Sequence, residues 1–149
     1  MVPCFPIAPI PKNVTMDDLK HDRPFTWLVI RAICCKTPDR QLELGIEVRK
    51  RIAVEMLLEA TRSLDLLVGL LIFGAWSHYY IWHKHIETTI IQLATSMACD
   101  LGLTRPVPGE PRLSLPNITG HERRPPLPSV PRTLEERRAI IGLFLHSSV

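Results

Sequence analysis

Apolar positions along this chain fall into distinct rhythms, and each rhythm predicts a different kind of helix. From Leu66 to Ala75 every position is apolar or glycine, so one face cannot be told from another. That pattern predicts a helix buried on all sides, with a sizeable protein around it. Ser63 just before the run offers an N-cap hydroxyl, and Asp65 places an anion in the first turn, where the helix dipole favours it. The run ends in an aromatic cluster, Trp76, Tyr79, Tyr80 and Trp82.

The remaining helices are predicted as amphipathic or short. Thr15 followed three residues on by Asp18 reads as a capping box, opening a short helix through His21. Pro24 can occupy the first turn of a second helix running to Ile33. Thr37-Pro38-Asp39 combines a cap, a first-turn proline and an acid. In the helix that follows, Leu42, Gly45, Ile46, Ala53, Met56, Leu57 and Ala60 recur at helical spacing and are predicted to face the core. Glu43, Glu47, Lys50, Arg51, Glu55 and Glu59 are predicted to face water. Glu47 and Arg51 stand in the favourable i,i+4 order, worth about 0.2–0.5 kcal/mol, while Arg49 lies near the apolar stripe and is placed to snorkel or to pair elsewhere. Beyond His83, Ile86, Ile90, Leu93, Ala94, Met97 and Leu101 mark one face of a further helix. Gly102 can then turn left-handed while Leu103 folds back on the last turn. Thr133-Leu134-Glu135-Glu136 is a second capping box, ahead of Ile140, Ile141, Leu143, Phe144 and Leu145.

Between them, 104–132 has no periodicity and holds eight of the fourteen prolines. Residues 1–14, with prolines at 3, 6, 9 and 11, cannot form regular helix either. The predicted organisation is therefore an extended Pro-rich arm over 1–14, a helical core over 15–103, a Pro-rich linker over 104–132 and the start of a further helix over 133–149. The fold class is all-α, an irregular array of five to six helices that is incomplete at its C-terminal end.

Composition narrows the function. A chain of 149 residues with 46% hydrophobic and 22% charged residues is one ordinary globular domain. A net charge of +3 is too small to argue by itself for nucleic acid or a membrane surface. Leu64 to Trp82 is about as long as a bilayer span of ~20 residues, but Asp65 and His78 fall inside it, and the reading is a core helix. Cys4, Cys34, Cys35 and Cys99 form no C-x-x-C pair and read as reduced, partly buried thiols of a reducing compartment. No secretory signal pattern follows Met1.

Candidate chemistry is thin. His78, His83 and His85 are spaced off the i,i+4 register of a helical metal pair, with no cysteine near them, so no zinc site is expected. The aromatic cluster has only Lys84 beside it and reads as core filling rather than a base-stacking platform. Arg49-Lys50-Arg51 is interleaved with glutamates and reads as a solvated face, as do Arg123-Arg124 and Arg137-Arg138. Asp100 sits at a helix C-terminus, an unfavourable place worth about 0.3–1 kcal/mol, with Arg105 the nearest cation to offset it. No nucleophile has a base within its own segment, and no phosphate-cradling glycine loop is present. No catalytic, cofactor-binding, metal-binding or DNA-binding residue is expected, and the chain is read as no enzyme.

Several stretches together are similar to one family. Phe5-Pro6-Ile7, Asp22-Arg23-Pro24-Phe25-Thr26-Trp27-Leu28, Arg40-Gln41-Leu42-Glu43-Leu44-Gly45, Ser63 to Leu71 and Ala75-Trp76-Ser77-His78-Tyr79-Tyr80 resemble the regulatory (middle homology) domain of fungal zinc-cluster transcription factors. Gln92-Leu93-Ala94, Asp100-Leu101-Gly102-Leu103 and Glu136-Arg137-Arg138-Ala139 continue the likeness in order. The resemblance implies an all-helical domain lying C-terminal to a six-cysteine, two-zinc DNA-binding cluster, in a nuclear regulator. That cysteine array is missing here, and such domains continue beyond the last matched helix. The resulting expectation is a fragment of a regulatory domain, localised to the nucleus, acting in transcription through protein or effector contacts without direct DNA binding. The partners expected are a homo- or hetero-oligomer formed through apolar helices, with no membrane and no cofactor. The alternatives are a stand-alone helical module that modulates a full-length factor and a small membrane-associated protein.

Overall fold

The computed structural model describes residues 15–80, 86–104 and 132–148, without the side chains of 77–80. Among the described residues the chain is all-helical, with six α-helices and one π-helical turn and no strand. The arm expected over 1–14 and nearly all of the linker expected over 104–132 lie outside the described residues.

Helix α1 (Met16–Asp22) forms because Thr15 and Asp18 satisfy each other. The Asp18 amide donates to Thr15 Oγ1 at 3.2 Å, and the Thr15 amide donates to Asp18 Oδ2 at 3.0 Å. Helix α1 buries nothing and rests on α2 (Pro24–Cys34), which buries Phe25, Thr26, Leu28, Val29 and Ala32. Pro24 holds the first turn of α2 as expected, but Arg23 at the N-cap position supplies no capping side chain. That helix end is satisfied from elsewhere, as described below.

Helix α3 (Pro38–Ile52) starts at the expected proline, although the Thr37 hydroxyl makes no capping bond. Here the structure corrects the sequence reading. The residues that face the core are Leu44, Gly45, Val48 and Ile52, whereas Leu42, Ile46 and Ala53 are exposed. The physical reason is that α3 carries two apolar stripes of the same helical period, and only one of them can meet α2 and α4. The ion pair also differs: Arg51 is bonded to Glu55, one turn ahead, rather than to Glu47. The guanidinium is pushed above its ordinary pKa chiefly by that hydrogen bond.

After Ile52 the winding widens into a π turn, Ala53–Leu58, closed by the Glu59 amide on Val54 O at 2.9 Å. The chain leaves it through Ala60, a non-glycine residue at φ +51°. Helix α4 (Leu64–Tyr80) then begins with the expected cap, the Leu66 amide donating to Ser63 Oγ at 3.1 Å.

Helix α4 is the centre of the fold. Leu66, Leu67, Val68, Leu70, Leu71, Ile72 and Phe73 are all buried, so every side of the helix is covered. Helices α2, α5 (Glu87–Asp100) and α6 (Leu134–Ser147) pack on it, and α3 touches it more lightly. Each such side chain withdrawn from water contributes about 1.5–3 kcal/mol as an upper estimate. Helix α5 shows the predicted face, with Ile90, Ala94 and Met97 buried and Ile86, Leu93 and Leu101 partly so. It ends in the predicted Schellman motif: Gly102 at φ +73°, its amide on Cys99 O at 3.0 Å, and the Leu103 amide on Ala98 O at 2.9 Å. Leu103 is buried, completing the hydrophobic contact of that motif. Helix α6 carries the second capping box, Thr133 with Glu136, and buries Ala139, Gly142 and Leu143.

Candidate interaction surface

Two long-range polar contacts fix the helix ends that the local sequence leaves open. The first runs from α4 to α2. Asp65 Oδ2 accepts from the Phe25 amide at 2.9 Å and Asp65 Oδ1 from the Thr26 amide at 3.0 Å. The Thr26 hydroxyl returns a bond to Asp65 O at 3.2 Å. The carboxylate placed by the sequence in the first turn of its own helix thus caps a neighbouring one. The second contact runs from the α1–α2 junction to α6. Arg23 and Glu135 form a two-pronged guanidinium–carboxylate pair, the Nη2 to Oε2 arm at 2.7 Å. Glu135 raises the Arg23 pKa above its ordinary value, against the opposing effect of partial burial.

The residues weighed for chemistry do not converge on a reaction centre among those described. No group of three or more His, Cys, Asp or Glu among the described residues is placed to hold a metal ion. His83, His85, Trp82, Cys4, Arg105, Arg123 and Arg124 lie outside the description, as do the side chains of His78, Tyr79 and Tyr80. Trp76 is partly buried against the core, as its core-filling reading expects. Cys34 and Cys99 are free thiols and exposed, where partial burial was expected, and Cys35 is half-buried. No helix among the described residues is long and apolar enough to cross a membrane.

The cations are dispersed rather than gathered. Arg49 turns back along α3, donating from Nε to Gly45 O at 3.3 Å. Arg40 is paired with Glu43 at 2.6 Å, and Lys50 and Arg137 stand in water. Asp100 is offset by Arg62, Nε to Oδ2 at 3.0 Å, a residue close in space though far in sequence. Arg105, the candidate nearest along the chain, lies outside the described residues.

What the structure does present is apolar surface. Leu42, Ile46, Val54, Leu57 and Leu58 stand exposed along α3 and the π turn, Leu57 at 69% and Leu58 at 79%. Leu134, Ile141, Phe144 and Leu145 do the same along α6, Phe144 at 69%. Each row is the outer face of a helix whose inner face packs in the core. Single exposed apolar residues are ordinary, but rows of them at helical spacing are contact surface. Of these side chains, Leu42, Ile46 and Leu57 were legible as periodic apolar positions, though as core rather than as surface.

Over nearly its whole length the chain is similar to proteins named as fungal transcription factors. It is 32% identical over 148 residues to transcription factor opdL of Penicillium oxalicum, matching 97% of this chain and 26% of that protein. It is 29% identical over 149 residues to transcription factor himD of Aspergillus japonicus, matching 99% of this chain and 24% of that protein. A transcription factor of Aspergillus terreus is 27% identical over 106 residues, 70% of this chain and 18% of that protein. The chain therefore spans about a quarter of the length of the first two relatives. No family model matches it, and no solved structure matches it significantly.

Proposed function

We propose that this chain is a regulatory segment of a fungal transcription factor, acting in the nucleus through protein–protein or effector contacts rather than by direct contact with DNA. The observation that carries the reading is the similarity of at least 97% of the chain to two proteins named as transcription factors. The surface supports the contact mechanism. It offers two apolar rows on α3 and α6, while its described cations are spread among glutamates or tied to carbonyls and carboxylates. Non-specific DNA binding depends on several cations acting on phosphates together, and no such cluster stands among the described residues. The four cysteines cannot supply a six-cysteine cluster, so sequence-specific DNA binding is assigned to no residue here.

The test is to fuse residues 1–149 to a heterologous DNA-binding domain in a fungal host and to measure a reporter carrying its target site. Altered output, together with no sequence-specific footprint by the unfused chain, is the expected result. A footprint on one DNA sequence would overturn the contact-only mechanism, and an unchanged reporter would count against a regulatory role. The stand-alone module reading shares the exposed rows on α3 and α6. It differs in requiring a partner factor, which capture of a full-length relative on the immobilised chain would reveal.

A further inference from the structure

Thr37 differs from the other hydroxyl residues that open helices in the described chain. Thr15, Ser63 and Thr133 each use their hydroxyl as a cap, accepting from the amides of Asp18, Leu66 and Glu136. Thr37 holds the same position before α3, with extended backbone at φ −93° and ψ 117°, and its hydroxyl caps nothing. Its carbonyl is engaged instead, by the Gln41 amide at 2.9 Å and the Cys35 thiol at 3.7 Å. The residue is exposed, so the hydroxyl is open to a reagent from solution.

The residues that follow select the reagent. Pro38 comes directly after Thr37 and Arg40 three positions after it, giving Thr-Pro-Asp-Arg. Of the fourteen prolines in the chain, Pro38 is the only one that follows a Ser or Thr. A cleft with no acceptor just past the reacting residue selects proline, because any other residue would bury an unpaired amide there. Proline-directed kinases work on that principle, and those of the cyclin-dependent class add an acid for a cation three residues on. The segment can enter such a cleft at small cost. Lys36, Thr37, Pro38, Asp39 and Arg40 are all exposed, and the first buried residue of α3 is Leu44. Opening the first turn breaks the Gln41 amide bond and the exposed Arg40–Glu43 pair but uncovers no core.

We propose that Thr37 is a phosphorylation site for a proline-directed kinase of the cyclin-dependent class, with ATP as the phosphoryl donor. Thr37 Oγ1 bonds to the γ-phosphorus of ATP as the bond from that phosphorus to the bridging oxygen breaks. ADP leaves with the electron pair, and the hydroxyl proton passes to a carboxylate of the kinase. The product carries a charge of about −1.5 to −2 at the start of α3. There it meets the Asp39 and Arg40 amides that the hydroxyl leaves uncapped, with Lys36 and Arg40 as cations against the one acid, Asp39. The site goes beyond the regulatory reading and gives the segment an input.

The experiment incubates the full 149-residue chain with a purified cyclin-dependent kinase and Mg-ATP, and maps incorporation by mass spectrometry of its fragments. It is run beside Thr37→Val, Pro38→Ala and Arg40→Ala, all at exposed positions, whose helical circular dichroism should match the parent. The expected result is one phosphoryl group, at Thr37, and none in Thr37→Val. The rate should fall at least about tenfold in Pro38→Ala and about threefold in Arg40→Ala. In the phosphorylated chain the Asp39 and Arg40 amides should exchange with solvent about threefold to tenfold more slowly. The chain recovered from the fungal reporter host should carry the same modification. No incorporation, incorporation that survives Thr37→Val, a rate indifferent to Pro38→Ala, or a recovered chain bare at Thr37 overturns the proposal. Phosphate at Thr37 in a fusion that leaves the reporter unchanged supports the site and counts against the regulatory reading alone.

Discussion

Gly69 on α4 faces the ring of Phe25 on α2 so closely that a Cβ at position 69 would stand 2.3 Å from Phe25 Cδ1 and 2.5 Å from Cε1. Phe25 is itself 1% exposed and held at the first turn of α2, so its ring has little room to withdraw. Gly69→Ala is expected to cost about 1–3 kcal/mol, the usual range for forcing one extra carbon into a packed core. Phe25→Leu in the same chain should recover part of the loss, because the shorter side chain clears the site. Urea denaturation of the four members of this cycle measures it; additive effects would show that the two positions do not share the space.

Asp65 makes a second testable link between the same two helices. Asp65→Ala leaves the Phe25 and Thr26 amides without their acceptor at a helix start that has no local cap. The expected loss is about 1–3 kcal/mol. Asp65→Asn keeps one acceptor oxygen and should cost less. Equal losses in the two variants would mean that the one remaining amide oxygen holds neither backbone amide, and no loss in either would mean that the bonds matter little.

The tie between Arg23 and Glu135 governs how α6 is held. Its side chains are 35% and 31% exposed, so solvent weakens it. Arg23→Lys replaces a two-pronged contact with a single point charge, for an expected loss of about 1 kcal/mol. The change should appear as faster amide hydrogen exchange in the first turns of α6, with α5 unaffected. Uniformly faster exchange across the chain would place the tie in global stability instead.

Acidification is expected to open α1 first. The Thr15 hydroxyl, and then its amide, hold the Asp18 carboxyl below its ordinary pKa of 3.8. A depressed folded-state value means that the capping box stabilises fully above the unfolded pKa and is lost as pH falls through the folded one. The Asp18 carboxyl signal in an NMR titration should therefore move at lower pH in the parent than in Thr15→Ala. A titration unchanged by that substitution would remove the assigned cause.

Local chemistry was readable in the sequence wherever a helix end satisfies itself. Thr15 with Asp18, Thr133 with Glu136, Ser63, and Gly102 with Leu103 all do in space what their spacing announces. Burial on every side of α4 was equally readable, since ten apolar or glycine positions in a row leave no polar face. The orientation of α3 was not. Periodicity reports which residues share a face, but not which face meets a neighbour, and the stripe of Leu42, Ile46 and Leu57 repeats as regularly as that of Leu44, Val48 and Ile52. The candidate surface was thus visible as a pattern and misplaced as core. The Asp65 contact was hidden for a different reason: a first-turn acid already has a sufficient local explanation. The signal that could have exposed it was Arg23, which leaves α2 with no cap of its own.

The capping of α2 from α4 has a consequence for the order in which the protein is made. The Phe25 amide and its acceptor Asp65 are separated by 40 positions, and Arg23 and Glu135 by 112. At a synthesis rate of about 5–20 residues per second, Asp65 follows Phe25 by roughly 2–8 seconds, and Glu135 follows Arg23 by roughly 6–22 seconds. Through that interval the nascent α2 carries an open end and the bare ring of Phe25. The helix is tied down in two instalments by residues translated long after it. A pause in translation between positions 35 and 65 therefore prolongs the one stage at which this helix can be captured by a chaperone.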